Sequence, residues 1–217
     1  MDSEISPAKP PKPSRRKTPT ASQQKIARVL AAARALFTQS GYEITSMDTV
    51  AAAAGVSKAT VYAHFGSKSE LFAAVIAGQG DTHLVPLAAG LHDSLESVVR
   101  RFGREAFELI LAPATTAMFR VISAENNRFP ELGRLFYQSG PVRIQGELAA
   151  YLAAAMQRGE IRRERPEIAA IQFLALILGD LQIRELLGPN VGEATPSVRE
   201  LTLNAGIDCF LRAYRPG

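Results

Sequence analysis

Apolar residues recur at spacings of three and four from Ser22 onward: Ile26, Val29, Leu30, Ala33, Leu36 and Phe37 line one side of a helix that ends at Gly41. Thr45 followed by Asp48 reads as a capping box. It opens a second helix of about ten residues whose apolar face is Met47, Val50, Ala51 and Ala54 and which stops at Gly55. Ser57 then sits at the next N-cap, with Val56 before it positioned to pack on Val61 as a hydrophobic staple. This third helix ends near Phe65-Gly66, and Ser67 with Glu70 caps a fourth that runs through Leu71, Phe72, Val75 and Ile76. Beyond Gly78 the apolar period stays helical, and no stretch alternates with the period of two that a strand needs. Helices are predicted over 94–111, 114–127, 130–158 with a break at Gly140-Pro141, 166–187 and 196–214. Pro113, Pro130, Pro141, Pro166 and Pro196 suit first-turn or boundary positions. The predicted fold class is all-α.

The second and third helices, joined by a tight turn at Gly55, have the spacing of a helix-turn-helix. Gly55 frees the backbone to take a positive φ, and the run Ala51 to Ala54 lets two helices cross closely. Val61 and Phe65, four residues apart, define the inner stripe of the third helix. Lys58, Thr60, Tyr62, Ala63 and His64 are therefore expected to face outward. Such a helix enters the major groove by its N-terminal end. Lysine reads a guanine edge or pairs with phosphate, threonine meets a base or a thymine methyl, and tyrosine and histidine bond phosphate oxygens. Lys68, in a first helical turn where acids are usual, fits a phosphate held at that helix N-terminus. Taken singly, Lys58 and Lys68 also read as solvated charges, Tyr62 as a packing group and His64 as a surface histidine. The caps, staple and glycine turn together favour DNA.

Charge sharpens this picture. The 217-residue chain has a net charge of only +4, yet residues 1 to 80 carry ten Lys+Arg against five Asp+Glu, while the remainder carries fifteen against sixteen. A basic first third joined to a near-neutral remainder separates a polyanion-binding part from a part with another task. Residues 1 to 20 hold five prolines and almost no apolar side chains, a composition that predicts a disordered tail. Its Lys9, Lys12, Arg15, Arg16 and Lys17 suit either a DNA groove or plain solvation. The organisation expected is thus a tail (1–20), a helix-turn-helix domain (21–78) and a helical domain (79–217).

A hydrophobic content of 47% is enough for a real core. The single cysteine, Cys209, permits no internal disulfide, fits a cytoplasmic setting and reads as a small buried hydrophobe. No apolar run approaches the roughly 20 residues of a membrane span, and no secretory signal opens the chain. His64, His83, His92 and Cys209 lack metal-ligand spacing, and neither a glycine-rich phosphate loop nor a Ser/His/Asp motif stands out. No catalytic residue, metal or cofactor is expected.

The stretch Gly55-Val56-Ser57-Lys58-x-Thr60-x-Tyr62-x-x-Phe65-x-x-Lys68-x-x-Leu71, within residues 22 to 72, resembles the DNA-binding domain of the TetR family of bacterial transcription regulators. More weakly, "FRVISAENNRFPELGRLFYQSGP" and "LALILGDLQIRELLG" resemble the C-terminal domain of its AefR-like/AcrR-type branch. The resemblance implies that Thr45 and Ser46 touch backbone phosphate. It puts Ser57, Lys58, Ala59 and Thr60 in the major groove and has Tyr62, His64 and Lys68 grip phosphates. It also implies a homodimer formed through 166–187 and 196–214, and a small effector that tilts helix four and respaces the two reading helices. The operator would be palindromic, with half-sites about 34–36 Å apart or a multiple of that.

Phe102, Phe107, Met118, Phe119, Phe136, Tyr137 and Phe173 supply enough bulk to line an apolar cavity, although such stripes also build plain core. Gly179 suits a close helix approach, and Asp180 suits a partner such as Arg184 better than a ligand. The competing function is a helical apolar-ligand-binding protein whose basic end meets polyanions, DNA or anionic membrane, without sequence preference. The shaped helix pair counts against it, since membrane docking needs charge but no such shape.

Overall fold

A computed structural model describes residues 20–81, 87, 93–192 and 194–216. The tail up to residue 19, His83 and His92 lie outside them. Among the described residues the chain forms eleven α-helices and no strand: α1 (Ala21–Ile44), α2 (Met47–Ala54), α3 (Lys58–Phe65), α4 (Lys68–Asp81), α5 (Leu95–Ile110), α6 (Pro113–Glu125), α7 (Pro130–Ser139), α8 (Pro141–Gln157), α9 (Pro166–Leu178), α10 (Leu181–Leu187) and α11 (Pro196–Ala213). The five prolines each open a helix, where a missing N–H costs nothing.

Local signals hold with two shifts of register. Thr20 caps α1: its hydroxyl accepts the Gln23 N–H at 3.2 Å while Gln23 Oε1 accepts the Thr20 N–H at 2.8 Å. The cap of α2 is Ser46, not Thr45. Ser46 Oγ accepts the Thr49 N–H at 3.0 Å, and Thr49 Oγ1 accepts the Ser46 N–H at 3.0 Å. Displaced from the cap, Thr45 is only 3% exposed and donates its hydroxyl to the Gly41 carbonyl at 2.8 Å. Ser57 Oγ accepts the Thr60 N–H and Ser67 Oγ the Glu70 N–H, both at 3.2 Å, as the spacing predicts.

Two hydrophobic clusters divide the core. One joins α1 to α4 and also takes in Met118, Ile122 and Leu132 from α6 and α7. The other joins α5, α8, α9 and α11 around Phe102, Phe107, Phe173 and Phe210. The predicted single helix over 166–187 is broken at Gly179 (φ 52°, ψ −130°), with α10 turned 62° from α9. Asp180 does accept from Arg184, at 2.7 Å.

Gly179 does stand close to α11, where a Cβ would lie 3.0 Å from Thr202 Cγ2, and Gly206 on α11 packs more tightly still against backbone. A Cβ on Gly206 would lie 2.3 Å from the Leu176 carbonyl oxygen of α9. Cys209, expected inside, is exposed. Gly206, Ile207 and Phe210 take the inward face of α11 and leave Cys209 on the other.

The Gly206→Ala variant is expected to lose about 1–3 kcal/mol, because backbone cannot yield to a new methyl as a side-chain tip can. A urea-denaturation midpoint equal to that of wild type would contradict that crossing. Between α5 and α11, Arg104 forks onto Glu200 at 2.7 and 2.9 Å, and Asn204 adds a third donor at 3.0 Å. These donors hold the Glu200 carboxyl at about 2, against an ordinary 4.5. A carboxyl depressed in the folded state stabilises fully above its unfolded value; that contribution is lost as pH falls through about 2. An NMR titration of Glu200 should show the depression in wild type and a midpoint back near the ordinary value in Arg104→Gln; identical midpoints would rule out the fork.

Candidate nucleic-acid interface and internal cavity

The second and third helices meet at Gly55, which ends α2 in the left-handed region (φ 63°, ψ 42°). A positive φ there lets the Val56 N–H return to the Ala51 carbonyl at 3.1 Å and sets the angle at which α3 departs. Val61 and Phe65 are buried and anchor α3 from inside. The opposite side presents Ser57, Lys58, Ala59, Tyr62 and His64 to solvent, with Thr60 half-buried and Tyr62 50% exposed. Ser46, also exposed, stands at the N-terminus of α2. Two helix N-termini, hydroxyls, an ammonium, an imidazole and a phenol thus share one face that suits a polyanion.

Lys58 is not unpartnered on this face. Its ammonium lies 2.5 Å from Asp48 Oδ2 on α2, an exposed pair across the turn. Asp48 is therefore the ion-pair partner of Lys58 and not the second member of a capping box. Only contact across the turn shows this, because ten residues separate the two in the chain.

Two expected phosphate contacts point elsewhere. Thr45 is buried against Gly41, since a cap one residue later turns it inward. Lys68 donates to the carbonyls of Tyr42 and Glu43, at 2.8 and 3.0 Å, and lies 4.3 Å from the Tyr42 ring centroid. Desolvation lowers its pKa from the ordinary lysine value, while Glu125 and Glu43 pull it back up. These two carbonyls and the Tyr42 ring give the ammonium partners within the protein, although it stands in a first turn where acids are usual. Ile44, 77% exposed beside Ser46, is a feature that periodicity alone misses.

A cavity of about 760 Å³ opens between the end of α5 and α6, α7, α8, α9 and α10, with Ile76 of α4 at its edge. Of the seven candidate lining residues, Phe119, Phe136 and Tyr137 border it; Phe119 and Phe136 meet edge to face at 5.5 Å. Phe102, Phe107 and Phe173 belong instead to the α5/α8/α9/α11 core, and Met118 to the N-terminal cluster. Adjacent residues on α6 point apart, so Met118 and Phe119 serve different sides. Apolar Ile110, Ile122, Ile144, Leu174 and Leu178 complete much of the wall, with Ser123, Asn126, Asn127 and Gln182 as polar groups. The charged lining residues among those described are Arg143 and Glu147, 3.5 Å from each other. A wall of this kind suits an uncharged, mostly apolar molecule with a few hydrogen-bonding groups.

Among the described residues no group of His, Cys, Asp and Glu could hold a metal ion, and no single helix is long and apolar enough to cross a membrane. Residues 29–75 match the family described as bacterial regulatory proteins, tetR family, and residues 97–216 match the AefR-like transcriptional repressor, C-terminal domain. The HTH-type transcriptional repressor Rv3405c of Mycobacterium tuberculosis is 34% identical over 147 residues, covering 67% of this chain and 74% of that protein. The solved structure of the Flavonoid-responsive Regulator FrrA is 37% identical, with a TM-score of 0.69 over 89% of this chain and 98% of that one. A putative TetR-family transcriptional regulator from Mesorhizobium loti MAFF303099 is 26% identical, with a TM-score of 0.73 over 90% and 99%. With both halves matched, and α2 and α3 joined as a helix-turn-helix, this chain belongs to the TetR family of bacterial transcription regulators and carries an AefR-like C-terminal domain.

Proposed function

We propose that this protein is a cytoplasmic repressor that binds a palindromic operator as a homodimer and leaves it when a neutral, largely apolar aromatic molecule occupies the cavity. The outward face of α3 carries the reading: Val61 and Phe65 inside commit Ser57, Lys58, Thr60, Tyr62 and His64 to the side that meets DNA. Ser57, Lys58, Ala59 and Thr60 enter the groove, while Tyr62, His64 and Ser46 hold phosphates. Lys58 exchanges Asp48 for a base edge or phosphate on binding. Thr45 and Lys68 support this face from behind.

Exposed apolar side chains on α9 and α11 support the homodimer. Ile168, Ile171, Leu176, Val198 and Leu201 are all exposed, Leu201 to 70%. A stripe of this kind on two neighbouring helices needs cover. A homodimer closed by a two-fold axis shares the symmetry of a palindromic operator. For the effector, the paired charges of the cavity wall favour a neutral molecule, and the edge-to-face pair Phe119 and Phe136 favours an aromatic one. The flavonoid named for a regulator 37% identical to this chain has that chemistry.

DNA flanking the gene, cut into duplexes with and without a palindrome, tests the first half of this proposal in an anisotropy titration. The palindromic duplex alone is expected to bind tightly, and Lys58→Ala is expected to lose about 1–3 kcal/mol of that preference. Asp48→Asn frees the ammonium and should tighten binding to every duplex; Leu201→Glu should yield monomers that bind none tightly. Equal affinity for all duplexes in the wild type would instead favour the polyanion-binding alternative. The effector half is tested by calorimetry with naringenin, a neutral flavonoid. Saturable binding that Phe136→Ala weakens about tenfold or more is expected, whereas unchanged binding by that variant would move the ligand out of the cavity.

A further inference from the structure

Gly41 breaks α1 before its last turn, with φ 82° and ψ 169°, a conformation open essentially to glycine. The peptide groups of the next two residues are then held from two helices. The Tyr42 and Glu43 N–H groups donate to the two carboxylate oxygens of Glu125, at 2.6 and 2.9 Å. Their carbonyls accept from Lys68 of α4. The Tyr42 ring packs on Phe37 and Phe72, and at 5.4 Å on Phe129, which precedes α7. A Cβ at Gly41 would come within 2.5 Å of Glu125 Oε1, so the glycine also makes room for the carboxylate.

Glu125 is the last residue of α6, and Ile122, Ser123 and Asn126 on either side of it line the cavity. Glu43 lies three residues before Ser46, which starts α2, and between them Thr45 ties back to Gly41. One side chain therefore joins the wall of the cavity to the turn that launches the reading helices. The neighbouring tie, Arg128 to Glu43, is an exposed ion pair and adds little. Bonds from two backbone amides to one carboxylate are charge-assisted and directional.

We infer that Glu125 is the positioning residue through which occupancy of the cavity reaches the DNA-reading helices, by moving the Tyr42 and Glu43 amides that its carboxylate holds. The inference rests on the cavity being the effector site. A ligand against Ser123 and Asn126 shifts the end of α6, the carboxylate carries the two amides with it, and α2 and α3 follow. Glu125→Gln keeps the size of the side chain but offers one acceptor oxygen, and sets an NH2 group against the other amide.

The test uses the full-length chain, the palindromic duplex and naringenin. In wild type, saturating naringenin is expected to weaken DNA binding about tenfold or more. Glu125→Gln should bind naringenin and free DNA within about threefold of wild type, yet release DNA by less than about threefold. Gly41→Ala, strained in φ and crowding the carboxylate, should behave alike, while Arg128→Gln should respond as wild type does. Full release by Glu125→Gln, or equal loss of release in Arg128→Gln, overturns the inference. Amide exchange decides without ligand: Tyr42 and Glu43 should exchange about tenfold faster in Glu125→Gln while α5 and α11 stay unchanged. Unaltered protection of those two amides removes the latch. Failure of naringenin to bind wild type rejects the flavonoid reading of the cavity alone, and the latch is then judged on exchange.

Discussion

Two peptide units, those of Tyr42 and Glu43, are the point on which the arrangement of this protein depends. Their amides belong to α6 through Glu125, their carbonyls to α4 through Lys68, and the Tyr42 ring to a cluster of three phenylalanines. A buried backbone group left without a partner costs about as much as a lost hydrogen bond, so a break in a helix next to a core must be satisfied from somewhere. Here the partners come from two other helices. The break at Gly41 thereby becomes a joint that fixes α1 against α4 and α6 together.

The same economy of partners shapes the outward face. Charges that suit DNA are held by intramolecular partners in the free protein: Lys58 by Asp48, Lys68 by two carbonyls. The exposed Lys58 pair is weakly held and readily exchanged for a phosphate, since screening leaves surface ion pairs worth little. The half-buried Lys68 is not so readily exchanged, because its ammonium is already desolvated and bonded in place. Two lysines ten residues apart thus divide into one in an exposed ion pair and one bonded to backbone and partly desolvated.

Helix breaks also make the cavity. Pro130 and Pro141 interrupt the chain between α6 and α8, and Gly179 turns α10 by 62° from α9. Had 166–187 run straight, Gln182, Ile183 and Leu186 would not border the space beside α6 and α7. Arg120 of α6 secures that turned segment by donating to the Glu185 and Leu186 carbonyls. Helix α6 is therefore tied near its middle to the cavity wall and at its end to the joint at Tyr42.

Much of this is legible in the amino-acid sequence alone. Caps, glycines and prolines are local signals, and they placed the helices to within a few residues; Val61 and Phe65, four apart, settled which side of α3 faces out. The family motif from Gly55 to Leu71 is local too, so the reading helix could be named from it. What the sequence alone left undecided involves residues far apart in the chain. Periodicity cannot tell which aromatic on α6 lines a space and which fills a core, because Met118 and Phe119 differ only in the phase at which α6 meets its neighbours. Nor can it show that Thr45 yields its cap to Ser46, or that Glu125 reaches back 83 residues to the Tyr42 amide. Short-range signals are written in the backbone preferences of neighbouring residues, whereas the joint, the cavity and the pairing of charges exist only once distant helices are packed against each other.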